Sequence, residues 1–230
     1  MKYLKKNVTR HPQFNTLTKT QKELIDKYQI SSNFLPKQFI YKKDSNLKYV
    51  YFVYKGSILI GRGFNHPNEM AYQLILKPTF LGVESIMIDA DINQYAKTLS
   101  DVYCLKIPVD IFKKILVENY AFHNLIQKQL LEFYENIEKK YELLTAKKAD
   151  ERLILFLQEI YAKSKESLGD QCVINLHMSH LEISHYLQCS RQTVTMGLSK
   201  LRELKLIDYK RNKIEIKDIK KLKKWKGKLN

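Results

Sequence analysis

The stretch His180–Leu201, HLEISHYLQCSRQTVTMGLSKL, most constrains what this chain can fold into. It reads as two short amphipathic helices joined by a tight corner. Ile183, Leu187 and Cys189 supply apolar positions on the first half and the corner. Val194, Leu198 and Leu201 give the second half a stripe at helical spacing. Ser179 precedes the first helix with Glu182 three residues on, the pattern of a capping box, and Ser190 stands where it can cap the second. With its inner face occupied, the second helix must turn Arg191, Gln192, Thr195, Met196 and Ser199 elsewhere. Arg and Gln side chains can bond base edges bidentately, at guanine and adenine respectively. The expectation is a helix-turn-helix with double-stranded DNA as its partner.

The formal net charge of +16 fits a polyanionic partner, and its placement says more than its total. Residues 190–230 hold 14 basic and 4 acidic side chains, whereas acids outnumber bases six to four between 148 and 189. Positive charge therefore collects at and after the second helix, where a phosphate backbone would lie. A solvated, solubilising tail is the plainer alternative and ranks second beside a helix-turn-helix.

At 230 residues there is room for one large domain or two modest ones. No apolar run is long enough to span a bilayer. The N-terminal residues lack the apolar core of a secretory signal, so a cytoplasmic protein is expected. Cys104, Cys172 and Cys189 lie far apart in sequence, which favours reduced thiols over a zinc or iron–sulfur site. The six histidines show no metal-binding spacing, and neither a metal nor another cofactor is expected. There is no G-x-S-x-G and no glycine-rich phosphate loop, and no His–Asp pair is suggested near any cysteine. No catalytic residue is assigned, and an enzyme is not expected. The best reading from another class is a ligand-binding or protein-interaction module whose basic C-terminal region meets RNA or acidic partners.

Residues 18–30 read as a short helix. From Phe39 to about Pro108, QFIYKK, YVYFVYKG, SILIGR, AYQLILK and VYCLKIP read as strands of an antiparallel roll. One long helix is expected from about Val109 to Thr145, uninterrupted by proline or glycine. Its seam of Ile126, Leu130, Phe133, Ile137, Tyr141 and Leu144 steps by three and four, as in a helix that packs along a partner helix. A homodimer through this seam would set two recognition helices about one DNA turn apart. The apolar register restarts after Lys148 in ADERLILFLQEIYAKS, which places a boundary near Lys147 and divides the chain into 1–147 and 148–230. A polar loop, KESLGDQ, and a strand, CVINLHM, lead into the motif. LIDYKRNKIEIKD follows it as a basic hairpin, the layout of a winged helix. A last helix is expected with Ile219, Leu222 and Trp225 inward. The fold class is α+β: roll, long dimerisation helix, winged helix-turn-helix.

That order of parts resembles the Crp/Fnr superfamily of bacterial transcription regulators over nearly the whole chain. Cys189-Ser190-Arg191-Gln192-Thr193-Val194 is similar to the C-S-R-E-T-V that opens the recognition helix in the cyclic-AMP receptor branch. YFVYKGSILI is similar to the family's Y-x-[IV]-x-x-G-x-[VI]-x-[VI] hairpin, with Gly56 on its turn glycine, and Phe80-Leu81-Gly82 falls where the effector cassette begins. The resemblance implies a palindromic operator, a contact with RNA polymerase and a small-molecule effector whose identity the residues do not spell. It also implies that the roll biases the DNA-binding domains through the long helix, with the Lys147 region as hinge.

The departures carry as much information. The family's nucleotide-binding Arg-Ser pair falls on Gln94-Tyr95, which removes the main charge-assisted partner of a cyclic phosphate. The family's ribose-binding Glu falls on Val83, with Glu84 one position late. No cyclic-AMP response is expected. The absence of an N-terminal cysteine cluster argues against an Fnr-type oxygen sensor, and the branch lacking nucleotide residues, PrfA-like regulators among them, is the better likeness. In the motif, Gln188 stands at a corner where the family often has glycine. Gly197 stands at an interior helix position, at about 1 kcal/mol against alanine. The base-reading Arg-Glu-x-x-x-Arg becomes Arg191-Gln192-x-x-x-Met196, which predicts a different operator, richer in A·T. Arg191, Gln192, Thr195 and Met196 are the expected base contacts. Ser179, His180, Ser190, Thr193, Lys210, Arg211 and Lys213 are the expected phosphate contacts.

Overall fold

The computed structural model describes residues 8–225 apart from 46, 89, 147, 169–172, 175–176 and 211–212. In chain order the first elements are α1 (Lys19–Tyr28), β1 (Ile30–Phe34), β2 (Phe39–Tyr41), β3 (Tyr49–Lys55), β4 (Ile58–Arg62) and β5 (Met70–Ile75). Then come β6 (Thr79–Leu81), α2 (Val83–Met87), β7 (Tyr95–Thr98), β8 (Val102–Pro108), α3 (Val109–Glu118) and α4 (Tyr120–Ala146). The remainder is α5 (Ala149–Leu168), β9 (Val173–Ile174), α6 (His180–Leu187), α7 (Arg191–Glu203), β10 (Ile207–Lys210), β11 (Lys213–Ile216) and α8 (Ile219–Lys224). They group into two compact units, residues 1–56 with 77–136 and residues 57–76 with 137–230.

In the first unit β1, β8, β3 and β6 form an antiparallel sheet in that order, and β2 pairs antiparallel with β7. Phenylalanines make its core. Phe14 and Phe80 each approach Phe52 with ring centroids 4.7 Å apart, and Phe112 and Phe122 close on Phe80 at 5.8 and 5.7 Å. Such pairs add about 0.5–1.5 kcal/mol each beyond area burial. Gly56 has φ +113°, and a Cβ there would stand 2.5 Å from the Asp101 carbonyl, so this turn admits only glycine.

Four expectations need correction. The first helix stops at Tyr28, and Ile30 already belongs to β1. The short β6 and β7 and the helix α2 went unread, because three to five residues carry too little periodicity. The helix α5 runs to Leu168, into the stretch expected as a loop. The long helix is two helices. Asn119 adopts extended backbone (φ −128°, ψ 95°) between α3 and α4. Its Oδ1 accepts from the Phe122 amide at 2.9 Å, capping α4, while its Nδ2 donates to Thr16 O at 3.0 Å and Gln21 Oε1 at 2.8 Å. A side chain that caps a helix and also ties back to the N-terminal segment breaks a pattern that no proline or glycine interrupts.

In the second unit the antiparallel hairpin β4–β5 groups with the C-terminal helices, a contact that nothing in the local pattern foretold. The Lys163 ammonium donates to Leu74 O at 3.4 Å, and His185 Nδ1 lies 3.4 Å from Glu69 Oε1. The strands β9, β11 and β10 form a small antiparallel sheet, and Leu222 of α8 is fully buried. Trp225 stands just past α8, in extended backbone.

Replacing Asn119 by Ala is expected to lower the unfolding free energy by about 1–2 kcal/mol, the loss of a helix cap. Urea unfolding checks this, and a midpoint equal to the wild type's would show that the cap is idle.

Candidate nucleic-acid interface

The helix α6 begins with both halves of the capping box in place. Ser179 Oγ accepts from the Glu182 amide at 3.2 Å, and Glu182 Oε2 accepts from the Ser179 amide at 2.7 Å. Ser179 is thus engaged at its own helix end. The corner turns on Gln188, which holds the left-handed conformation (φ 48°, ψ 54°) usually left to glycine. Its Nε2 donates to His185 O at 2.7 Å and to Glu69 O at 3.4 Å, bonds that help hold a side chain where glycine would have been easier. Ser190 then caps α7 by accepting from the Thr193 amide at 3.0 Å, and the two hydroxyls lie 2.8 Å apart.

Val194, Leu198 and Leu201 are buried, as is Gly197. That orientation exposes Arg191, Gln192, Thr195, Met196 and Ser199 together. Arg191 and Gln192 occupy the first turn of α7, and neither side chain makes a hydrogen bond or ion pair with another described residue. Met196 is 45% exposed on the same face. Thr195 differs: its hydroxyl donates to Arg191 O at 2.9 Å and sits 2.8 Å from His180 Nδ1. Since the hydroxyl proton is used on Arg191 O, the imidazole Nδ1 is the donor of the second bond. The His180 ring also tilts against Tyr209 of β10, with centroids 5.1 Å apart. Burial, helped by the nearby Arg191 guanidinium, holds the His180 pKa below the usual histidine value. His180 therefore links the start of α6, the first turns of α7 and the hairpin, a role its position in the sequence did not disclose.

The expected wing is present as β10 and β11, with Lys210 opposite Lys213 at the end of the ladder. Arg211 lies outside the described residues, as does Cys172. Cys104 is buried in β8, its thiol pushed up to about 12 by desolvation, and half-buried Cys189 is raised for the same reason.

On the long helix the expected seam divides. Ile126 is fully buried in the aromatic core of its own unit and Leu130 packs against that core. Ile126 is therefore corrected from an intersubunit to an intramolecular contact. Farther along, Phe133 and Leu144 are half-buried, Ile137 is exposed, Tyr141 is 69% exposed, and Leu131 and Tyr134 stand out as well.

At the positions that would hold a cyclic nucleotide, Val83 is core and Gln94 Nε2 donates to Glu84 Oε1. Burial raises the Glu84 carboxyl pKa, against the opposing pull of its own backbone amide and of Gln94. Two further residues went unrecognised in the sequence. Lys140 of α4 is buried over the Tyr186 ring, and Arg152 of α5 bridges Leu144 O and Gln188 O. Lys140 could have been found: it stands seven residues after Phe133, on the apolar register itself.

Residues 151–225 match the family model described as a Crp-like helix-turn-helix domain. A global nitrogen regulator of Nostoc sp. (strain PCC 7120) is 27% identical over 73% of this chain and 76% of its own length. Among solved structures, FixK2 from Bradyrhizobium japonicum superposes with a TM-score of 0.73 at 20% identity, over 85% of this chain and 96% of that one. A CRP/FNR-family transcriptional regulator from Thermus thermophilus gives 0.66 at 18% identity, over 85% and 97%. The relatives named for what they do are regulators rather than enzymes. No described helix is long and apolar enough to cross a membrane. Residues 151–225 thus form a Crp-like helix-turn-helix domain, and the roll and long helix that precede it share the fold of Crp/Fnr-family structures, which together support a Crp/Fnr superfamily regulator.

Proposed function

We propose that the chain is a cytoplasmic regulator that binds a palindromic operator as a homodimer and does not answer to cyclic AMP. The observation that carries the DNA-reading part is the exposed Arg191–Gln192 dipeptide on the first turn of α7, unpaired among the described residues. Arg191 takes guanine, Gln192 takes adenine, and Met196 offers only apolar contact, such as a thymine methyl. The Ser190 and Thr193 hydroxyls and the α7 amino end face the phosphates, together with Ser179, His180 and the wing residues Lys210, Arg211 and Lys213. Thr195 contributes its methyl, its hydroxyl being taken within the motif.

The dimer reading is supported by Leu131, Tyr134, Ile137 and Tyr141, large apolar side chains left exposed on α4. A second copy is the cover that buries them, with Phe133 and Leu144 beside them. We take 1–147 as the sensing and dimerising part and 148–230 as the reading part, with the hinge near Lys147. RNA polymerase is the further protein partner. An effector, where there is one, acts by favouring the arrangement with both reading helices in register. It is not a cyclic nucleotide. A phosphodiester needs a buried cation, and this chain sets Gln94 there, already bonded to Glu84.

With an operator selected from random duplex DNA, Arg191→Ala is expected to lose about 1–3 kcal/mol, roughly 5- to 150-fold in affinity, while sedimenting as a dimer. Unchanged affinity and sequence preference would remove α7 from the role of reader. Millimolar cyclic AMP is expected to leave the operator Kd unchanged, and a tightened Kd would contradict the reading of Gln94. Equal binding of single-stranded RNA and operator duplex would favour the RNA-binding alternative.

A further inference from the structure

We infer that Lys140 is a positioning residue for the reading helices: seated on Tyr186 beside the Arg152 bridge, it makes the joint between the end of α4 and the helix-turn-helix respond to protonation. This rests on the reading of α4 as the dimerising helix. The contacts themselves all lie within the second unit.

Lys140 is only 5% exposed, and its Nζ stands 3.1 Å from the centroid of the Tyr186 ring on α6. No described residue gives that nitrogen a hydrogen bond. Glu159 of α5, the acid that could have served it, is already occupied. Its Oε1 accepts from Lys163 at 2.7 Å and from the Tyr186 hydroxyl at 3.1 Å, and its Oε2 lies 3.2 Å from the same hydroxyl. The other groups facing Lys140 are Arg152 and Lys163 from α5 and the Cys189 thiol from the corner. An ammonium here is stripped of water among two like charges, with a shared carboxylate and the π-face of a tyrosine as its attractive surroundings.

The joint has a second fastening. Arg152 donates through Nη1 to Leu144 O at 3.3 Å, a last-turn carbonyl of α4, and through Nη2 to Gln188 O at 3.0 Å, at the corner that aims α7. Displacing the end of α4 from α6 must therefore slide Lys140 off the ring and stretch the guanidinium bridge together. Lys140 pays for its place in lost hydration, and that is where protons enter.

Desolvation first, with repulsion from Lys163 and Arg152, pulls Lys140 from 10.5 down to about 7, against the opposing pull of Glu159 and Cys189. Once freed into water it would hold its proton up to about 10.5. Between these values the freed lysine binds more protons than the seated one. The joint therefore tightens as pH rises from about 7 toward 10.5 and bears the full cost of a buried ammonium below about 7.

The test uses the full-length protein labelled with [13Cε]lysine. One lysine is expected to titrate near 7 by NMR and to vanish in Lys140→Met. Amides of α6 and α7, after correction for intrinsic exchange, should become better protected as pH rises through 7 in the wild type and show no such trend in Lys140→Met. Operator affinity should then vary at least about threefold between pH 6 and 8.5 in the wild type and be flat in that variant. Arg191→Ala, which reads DNA poorly, should keep the titration, so failure of the reader and failure of the joint are separable. A wild-type protein in which every lysine titrates near 10.5 would overturn the inference. So would a Lys140→Met protein that keeps the pH trend in exchange.

Discussion

Burial of Val194, Leu198 and Leu201 sets the rotation of α7 about its own axis, and the functional face follows from that rotation. Each such side chain contributes on the order of 1.5–3 kcal/mol when fully buried. Turning the helix to hide Arg191 would surrender several kcal/mol and also desolvate a guanidinium. The competition is one-sided, so Arg191, Gln192 and Met196 stay on the outside. The caps at Ser179 and Ser190 set where the two helices start, and Gln188 sets the corner between them. Together they turn a rotation into an aim.

The same reasoning explains which parts of the chain were legible in its residues. The motif could be read because apolar spacing, two capping serines and the basic surplus all point one way, and the winged hairpin could be read from its alternation. The long helix was misjudged for a physical reason. Periodicity continues through Asn119, and only the tertiary bonds of its amide to Thr16 and Gln21 make a cap there better than another turn. Ile126 was misplaced for a related reason. A stripe says that a side chain is covered, not by which molecule, and here the covering atoms are the protein's own phenylalanines.

What the linear pattern could least disclose is the second unit's wiring. The β4–β5 hairpin reaches the helix-turn-helix through Glu69, more than a hundred residues before its partners His185 and Gln188, and reaches α5 through Leu74, nearly ninety before Lys163. Arg152 and Lys140 likewise act through residues distant in sequence. These contacts surround the corner that aims α7, so a change at the C-terminal end of α4 has a path of named atoms to the exposed face of α7. In the roll, Gln94, where the family's nucleotide-binding arginine would fall, forms a carboxamide–carboxyl pair with Glu84.

We propose that Arg191 reads a guanine edge in the major groove. The contact is tested most directly by replacing each operator guanine in turn with 7-deazaguanine, which deletes one acceptor and leaves base pairing intact. At one position in each half-site the wild type should lose severalfold in affinity, while Arg191→Ala, already lacking the donor, should lose nothing further. Equal losses in both proteins at every position would place that contact elsewhere and contradict the account.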